Sequence, residues 1–300
     1  MNIEQSAKNK IESINQELAN VGITCGEIEK KQYNYEFFAS SDKDKVKVQV
    51  YFGKKGVKTI LQGNKESLLY TEIEPIVYEQ GLFNFSENLD EPDEYIGSDE
   101  SGKGDVFGPL VTTAFYVDAK AKLRLAQLGV RDSKDLSESQ ITEIAKKIRL
   151  EFSNNFETVP LFPEKYNELY NKFNNLNALL VWTHSKAISN ILEKNPCKNI
   201  IVDKFSNREL NIRNSTSDNN IDILQITKAE RYIGVAAASI IARDTFNKWF
   251  FKAKNIYLEL PKGASNGVED MVKYFLKKYS IDELEKVSKM HFKTIKKYVN

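Results

Sequence analysis

The sequence has little cysteine and little histidine, with two residues of each in a chain of 300. Cys25 and Cys197 lie far apart and form no CxxC pair, and His184 and His291 lack the spacing of a zinc motif. This pattern argues against a disulfide framework and against a zinc knuckle. A reducing compartment fits the composition.

Long apolar runs are also missing, and none approaches the roughly 20 residues that a helix needs to cross a bilayer. The N-terminal segment MNIEQSAKNKIESI lacks the basic start and apolar core of a secretory signal. We therefore expect a cytoplasmic protein without a membrane segment. A hydrophobic content of 41% is ordinary for a globular protein, and 300 residues leave room for two domains.

The net charge of +1 hides an uneven distribution of lysine. From Lys43 to Lys65, seven lysines accompany a single acid, Asp44. The last thirty residues hold eight lysines and three acids. Such basic stretches are either solvated faces or surfaces that meet a polyanion.

Residues 1–83 combine helical and strand patterns, which predicts a small α+β domain. Apolar residues recur at three- and four-residue intervals from Ile3 to Val21, as in an amphipathic helix. A second helix over Glu66–Gln80 would be interrupted or ended in part at Pro75. Alternating apolar and polar residues predict three strands between these helices: Tyr33–Phe37, Val46–Val50 and Val57–Leu61.

The acidic segment NFSENLDEPDE, with five acids and a proline, predicts a linker over residues 84–93. Over residues 94–300, predicted strands alternate with predicted helices, which indicates a mixed sheet flanked by helices. The predicted strands are Tyr95–Asp99, Leu110–Val117, Phe156–Leu161, Asn199–Asp203 and Asp222–Thr227. The predicted helices are Ser139–Leu150, Asn177–Lys194 and Arg231–Tyr257, the last with a face of small residues from Gly234 to Ser239 that could lie close against a sheet.

One stretch, EYIGSDESGKGDVFGPLVTTAFYV, carries the densest chemistry. It sets two adjacent carboxylates, Asp99 and Glu100, at the end of an apolar strand. A turn with closely approachable backbone N–H groups and a cation follows at once: Ser101, Gly102, Lys103 and Gly104. Carboxylates beside phosphate-sized donors indicate a divalent metal and a phosphodiester. A Walker A loop is not present, because a glycine rather than Ser or Thr follows the lysine.

Two further acids follow predicted strands. Asp203 ends IIVD, and Glu230 lies in TKAE directly after ILQIT. Taken singly, each has an ordinary explanation, as a turn cap or as an acid near the positive end of a helix dipole. Together with Asp99 and Glu100 they bring four carboxylates to strand ends, where the sites of open α/β sheets gather. Because such a cluster repels itself unless cations neutralise it, we predict a site for Mg²⁺ or Mn²⁺.

Four blocks of sequence occur together and in order: GSDESGKGDVFGPL, RDSKDLSE at Arg131–Glu138, IIVDKF at Ile200–Phe205 and TKAERYIGVAAASIIARD at Thr227–Asp244. They closely resemble the ribonuclease HIII family of type 2 ribonucleases H. The resemblance covers nearly all of the chain from Tyr95 onward, and residues 1–83 look like the TATA-binding-protein-like domain that precedes the catalytic domain in that family. Glutamate at position 230, where the HII relatives have aspartate, favours the HIII branch.

The resemblance implies a ribonuclease H fold and an endonuclease that cuts the RNA strand of RNA–DNA hybrids, leaving 5′-phosphate and 3′-hydroxyl ends. The family's four catalytic acids correspond to Asp99, Glu100, Asp203 and Glu230. In the two-metal scheme, ions about 4 Å apart activate a water and neutralise the departing 3′-oxygen. Asp99 is expected to bridge the ions, Glu100 and Asp203 to complete their coordination, and Glu230 to hold a metal or the nucleophilic water.

The same resemblance suggests how substrate is held. The turn from Ser101 to Gly104 is expected along the minor groove, where backbone groups reach 2′-hydroxyls, although a tight turn alone would also need glycine. In the DSK motif, Ser133 and Lys134 contact a phosphate or cap the following helix. Five lysines of the N-terminal domain could follow a phosphate backbone or only coat a solvated face: Lys45, Lys47, Lys54, Lys55 and Lys58.

Two other side-chain groups have ordinary interpretations. His184 lies in NALLVWTHSKAISNIL, whose apolar pattern favours a structural or surface histidine over a metal ligand. Tyr33, Tyr35 and Phe37 fit a core better than a stacking surface. Two functional alternatives stay open at this point: incision at single ribonucleotides in DNA, as HII enzymes perform, and a noncatalytic nucleic-acid-binding protein. The default oligomeric state is a monomer.

Overall fold

The computed structural model describes residues 3–41, 44–53, 56–79, 91–206, 208–210, 212, 221–257 and 259–299. The chain divides into two compact units, Met1–Leu89 and Asp90–Asn300. Most of the predicted linker, residues 84–90, lies outside the described residues. Its position therefore stays a prediction.

The first unit is an antiparallel sheet with strand order β1-β3-β4-β5, in which β2 also pairs with β3. Two helices pack on one face of this sheet and share its core. The elements are α1 (Ile3–Asn20), β1 (Thr24–Cys25), β2 (Glu29–Lys30), β3 (Asn34–Ser40), β4 (Lys45–Gly53), β5 (Gly56–Gln62) and α2 (Leu68–Glu79). The predicted helix–strands–helix organisation is confirmed.

The three aromatic residues predicted for the core of the first unit differ in their burial. Tyr35 and Phe37 are buried against α1, as predicted, whereas Tyr33 lies before β3 and is 61% exposed. The predicted break at Pro75 is wrong, because α2 continues past that position to Glu79. A proline removes one backbone hydrogen bond from a helix, and tertiary packing of Ile73 and Val77 in the core compensates for that loss here.

The second unit contains a five-stranded mixed sheet with the order β10-β9-β6-β7-β8. Strands β6, β9 and β10 are parallel, and β7 and β8 are antiparallel to their neighbours. The strands are β6 (Tyr95–Ser101), β7 (Leu110–Val117), β8 (Phe156–Leu161), β9 (Asn199–Asp203) and β10 (Asp222–Ile226). All five agree with the predicted strands to within two residues.

Helices flank this sheet, and several of them were not predicted individually. The helices are α3 (Ala119–Gln127), α4 (Glu138–Glu151), α5 (Pro163–Phe173), α6 (Leu176–Leu192), α7 (Ile233–Lys254), α8 (Asn266–Lys278), α9 (Ile281–Glu285) and α10 (Lys293–Val299). Short 3-10 turns at Ser133–Asp135 and Ala229–Arg231 precede α4 and α7. Within the described ranges, no helix has the length and apolarity needed to cross a membrane.

Two glycines allow α7 to lie directly on β6. A Cβ on Gly97 of β6 would sit 2.4 Å from the carbonyl carbon of Gly234 on α7. A Cβ on Gly234 would in turn sit 2.9 Å from the ring of Tyr95, whose hydroxyl accepts the Gly234 N–H at 2.7 Å. The small-residue face of α7 thus packs close against the sheet, as the sequence predicts, and brings Ser239 toward the end of β6.

Candidate active site

The four acids meet because three parallel strands end at the same edge of the sheet. The register between β6 and β9 pairs Ser98 with Val202, so the next residues, Asp99 and Asp203, are neighbours. β10 pairs with β9 up to Asp203, and the chain then turns into the 3-10 segment that carries Glu230. The backbone N–H of Ala229 donates to the Asp203 carboxylate at 3.0 Å, which ties this segment to the end of β9.

Asp99 is buried, with 7% of its surface exposed. Burial raises the pKa of Asp99 well above its ordinary value, and the charges of Glu100 and Asp203 raise it further. Two hydrogen bonds, from the Ser239 hydroxyl and from the Glu100 backbone N–H at 2.8 Å, act in the opposite direction. The ionised form of Asp99 is thus unfavourable in this position unless a cation neutralises it.

Glu100 is held by a buried histidine that the sequence did not connect with the site. His184, with no exposed surface, lies on α6 with Nε2 3.0 Å from a Glu100 oxygen and Nδ1 2.8 Å from the Ser98 hydroxyl. An ionised carboxylate only accepts hydrogen bonds, so Nε2 is the donor. The ring of Phe205 stacks on His184, with centroids 4.7 Å apart. Burial by itself would raise the pKa of Glu100, but His184 and Lys103 lower it on balance.

Asp203 and Glu230 differ in the groups that contact their carboxylates. Burial raises the pKa of Asp203, the Ala229 N–H opposes that shift, and the charges of Glu230 and Glu100 add to it. Glu230, which is 6% exposed, forms an ion pair with the exposed Lys134. Lys134 therefore reaches from the DSK motif across to the acids.

Residues of α7 fix the DSK motif beside this edge of the sheet. Asp132 accepts the Lys134 N–H at 3.0 Å and so caps the 3-10 turn, while the helix start near Ser139 is capped by Ser137 instead. The buried Ser133 hydroxyl lies 3.0 Å from that of Ser239, and Arg243 donates to the Ser133 carbonyl at 2.7 Å. Ser239 and Arg243 were missed in the sequence because only the packing of α7 reveals their partners.

The glycine turn after β6 contains two glycines with different surroundings. Gly102 has φ +89°, and a Cβ there would lie 2.1 Å from the Pro109 carbonyl oxygen, so the fold itself requires glycine. Gly104 is exposed, and no atom lies within 4 Å of a Cβ built on it. The Lys103 ammonium lies 3.5 Å from Glu100, at the same edge as the acids.

An open cleft of about 420 Å³ gathers these groups. Its lining includes every acid, turn and DSK residue that the sequence predicts for the catalytic unit: Asp99, Glu100, Ser101, Gly102, Lys103, Gly104, Ser133, Lys134, Asp203 and Glu230. Residues of later elements also line it, among them Asn247 on α7 and Lys262, which pairs with Glu138. The sequence did not predict these later residues, because no motif marks them.

The donor chemistry of the cleft fits a hard divalent cation. All four acids provide carboxylate oxygens, the ligands preferred by Mg²⁺ and Mn²⁺. In the part of the chain that the structure describes, no three Asp, Glu, His or Cys side chains have their ligand atoms gathered closely enough to hold an ion. Glu230 is paired with Lys134, and one oxygen of Glu100 faces His184.

The first unit presents basic residues on the sheet face opposite its helices. Lys45 and Lys47 alternate with the buried valines of β4, and their ammonium groups lie 4.3 and 4.9 Å from the Phe38 ring centroid. Lys58 is exposed on β5 and pairs in register with Tyr51, on the same face. The predicted contacts of Lys54 and Lys55 fall outside the described residues.

Comparison with known proteins agrees with this geometry. The sequence profile of the family described as Ribonuclease HII matches residues 96–295. Ribonuclease HIII of Protochlamydia amoebophila is 37% identical over 244 residues, 79% of either chain, and that of Chlamydia caviae is 39% identical over 241 residues, 78% of either chain. The crystal structure of Bst-RNase HIII in complex with Mn²⁺ is 25% identical, with a TM-score of 0.62 over 96% of this chain and 94% of that one.

The two-unit architecture, a small antiparallel sheet domain followed by a mixed sheet flanked by helices, is therefore confirmed as the ribonuclease HIII fold. Neither alternative left open by the sequence is favoured by these relatives, since the curated ones are named ribonuclease HIII. The chain belongs to the ribonuclease HIII family and is a ribonuclease H, a hydrolytic endoribonuclease that cuts the RNA strand of RNA–DNA hybrids.

Proposed function

We propose that the chain cuts by a two-metal-ion mechanism, with Mg²⁺ or Mn²⁺ held by Asp99, Glu100, Asp203 and Glu230. The observation that carries this proposal is the convergence of the four carboxylates at one edge of the sheet, with Asp99 buried between Glu100 and Asp203. Bound ions supply charge neutralisation for the attacking water and the departing 3′-oxygen, which leaves 5′-phosphate and 3′-hydroxyl ends. Mn²⁺ in the similar Bst-RNase HIII supports the choice of metal.

Each acid has a role that its surroundings support. Asp99 would be the ligand common to both ions, and Asp203 and Glu100 would complete the set. His184 donates to one Glu100 oxygen, which fixes the direction in which the other oxygen points. Glu230, which is paired with Lys134, would hold an ion or the nucleophilic water, and Lys134 would meet a substrate phosphate.

The turn from Ser101 to Gly104 reads the 2′-hydroxyl in this proposal. Gly104 supports that role, because neither backbone conformation nor packing requires a glycine there. A missing side chain lets the backbone approach the minor groove of the hybrid closely. Lys103, beside Glu100, and the DSK residues Ser133 and Lys134 lie at the same cleft and would contact the sugar-phosphate backbone.

Metal-dependent cleavage of a labelled RNA–DNA hybrid tests the proposal directly. We expect cleavage with Mg²⁺ or Mn²⁺, no cleavage in EDTA, and no cleavage once deoxyribonucleotides replace the ribonucleotides around the cut. A duplex with one embedded ribonucleotide serves as the comparison substrate, and its preferential incision would indicate HII-like specificity. Binding without cleavage under every metal condition would contradict the catalytic proposal. One chain supplies all four acids, so a monomer suffices.

We further propose that the basic face of the first unit contributes affinity for the hybrid through phosphate contacts. Replacing Lys45, Lys47 and Lys58 together with glutamine is expected to weaken hybrid binding about tenfold or more at moderate salt, and to lower the slope of log affinity against log salt by up to about three. Deleting residues 1–85 should weaken binding at least as much while leaving the acids competent.

Fluorescence anisotropy over a salt series, in EDTA, measures hybrid binding by the triple variant and by the deletion. Lys8→Gln is the matched control, because Lys8 lies on α1 beside Glu12, away from the basic face. A triple variant with the affinity and salt slope of wild type would show that these lysines only coat a solvated surface.

A further inference from the structure

A lysine in the C-terminal part of the chain is completely enclosed. Lys289, which follows α9, has no exposed surface and is among the largest fully buried side chains of the described residues. The neighbouring segments contribute apolar side chains to one core cluster, including Val106, Phe107 and Val287. Placing an ammonium group in such surroundings is unfavourable unless it finds a specific partner. The partner of the Lys289 ammonium group therefore indicates the role of lysine at this position.

The partner is the backbone of the glycine turn beside the catalytic acids. The Lys289 Nζ donates to the carbonyl oxygen of Asp105 at 2.8 Å and lies 5.5 Å from the centroid of the buried Tyr166 ring. Burial lowers the pKa of Lys289 to about 7, and the nearby Asp105 carboxylate opposes this shift. The contact joins residues 184 positions apart in sequence.

The same C-terminal segment also binds the backbone directly after the turn. The Lys289 N–H donates to Val106 O at 2.8 Å, and the Gly108 N–H donates to Val287 O at 2.9 Å. From the other side, the Gly263 N–H donates to the Asp105 carboxylate at 2.6 Å. Asp105 is thus fixed through its side chain by one segment and through its carbonyl by Lys289, directly after the exposed Gly104.

We propose that Lys289 is a positioning residue for substrate recognition, which holds the turn from Ser101 to Asp105 in the conformation that meets the hybrid. Lys289 contacts none of the four acids and is not among the residues that line the cleft. It acts through the Asp105 carbonyl. This inference rests on the proposed function, in which that turn contacts the 2′-hydroxyls. Removing the lysine frees the carbonyl end of the turn, so hybrid affinity falls while the acids and their neighbours stay in place.

The test compares Lys289→Met with Val287→Ala in the full chain. Methionine keeps most of the apolar part of the side chain but cannot donate, whereas Val287→Ala removes methyl groups from the same core and leaves Lys289 in place. We expect Lys289→Met to raise KM for the hybrid roughly tenfold with kcat within about twofold of wild type. Val287→Ala should lower the melting temperature and leave KM unchanged.

Lys289→Gln is a second variant with the same expected rise in KM, because glutamine is smaller and still polar but too short to reach Asp105. Amide hydrogen exchange of the free protein gives an independent readout, with faster exchange expected at residues 102–106 in both lysine variants and not in Val287→Ala.

Unchanged KM in Lys289→Met and Lys289→Gln, with only a lower melting temperature, would overturn the inference and leave Lys289 a purely structural residue. A fall in kcat at constant KM would also overturn it. Failure of the proposed function is distinguishable, because Gly104→Ala in the same turn would then also keep the wild-type KM, whereas failure of this inference alone leaves the KM of Gly104→Ala raised.

Discussion

Replacing Asp99 or Asp203 by asparagine is expected to abolish hybrid cleavage without unfolding the protein. Asparagine keeps the shape of the side chain but loses the charge that binds a divalent cation, so several kcal/mol of transition-state stabilisation disappear, about a thousandfold in rate or more. Single-turnover cleavage of a labelled hybrid with Mg²⁺ and with Mn²⁺ measures the loss. Full activity of either variant would contradict the assignment of the acids.

The matched control is Asp222→Asn. Asp222 is an exposed acid that starts β10 and pairs in register with Asn199, so it lies at the opposite end of the parallel strands from Asp203. The same chemical change there should leave cleavage at the wild-type rate. The comparison therefore separates the loss of a charge on the sheet from the loss of a charge at the catalytic edge.

Asp99→Asn should in addition make the metal-free protein more stable at neutral pH. The folded protein raises the pKa of Asp99 above its ordinary value of about 3.9, so above that pH the folded state binds more protons than the unfolded chain and stability falls as pH rises. Asparagine does not ionise, so the Asp99→Asn variant avoids this loss of stability. Thermal melts in EDTA should show a higher melting temperature for the variant at pH 7, with a gap that narrows toward pH 4. A lower melting temperature at pH 7 would contradict this electrostatic account.

Gly102→Ala is expected to have the second largest effect, through the fold of the turn. The residue has φ +89°, and a Cβ would lie 2.1 Å from the Pro109 carbonyl oxygen and 2.8 Å from the Phe246 ring. The left-handed backbone alone costs about 1–2 kcal/mol for alanine, and the overlap with backbone adds to it. We expect a lower melting temperature together with a large loss of cleavage.

Gly104→Ala separates the substrate role of the turn from its structural role. Because no atom lies within 4 Å of a Cβ at this position, the variant should melt like wild type. Its KM for the hybrid should nevertheless rise, since the methyl group intrudes where the minor groove approaches. Gly267→Ala, at another glycine with open surroundings, is the control that should leave KM unchanged. A wild-type KM for Gly104→Ala would argue against close approach of the substrate at this glycine.

Much of the fold could be predicted from local sequence patterns. All five strands of the catalytic unit follow runs of apolar or alternating residues, and the small residues of α7 predicted its close approach to the sheet. Local signals failed where packing overrides propensity, as in α2, which continues past Pro75. The helices α8 to α10 were not predicted individually, and their apolar side chains pack together in the C-terminal core.

The sequence by itself indicated the candidate residues for the chemistry, because an acid after an apolar strand and a glycine-rich turn are local features that motifs describe. It did not determine which groups contact those acids and the glycine turn. His184 reaches Glu100 across 84 positions, Lys134 reaches Glu230 across 96, and Lys289 reaches Asp105 across 184. Such contacts depend on the order of the strands and the packing of helices over them, so only the tertiary structure decided how the acids and the glycine turn are held.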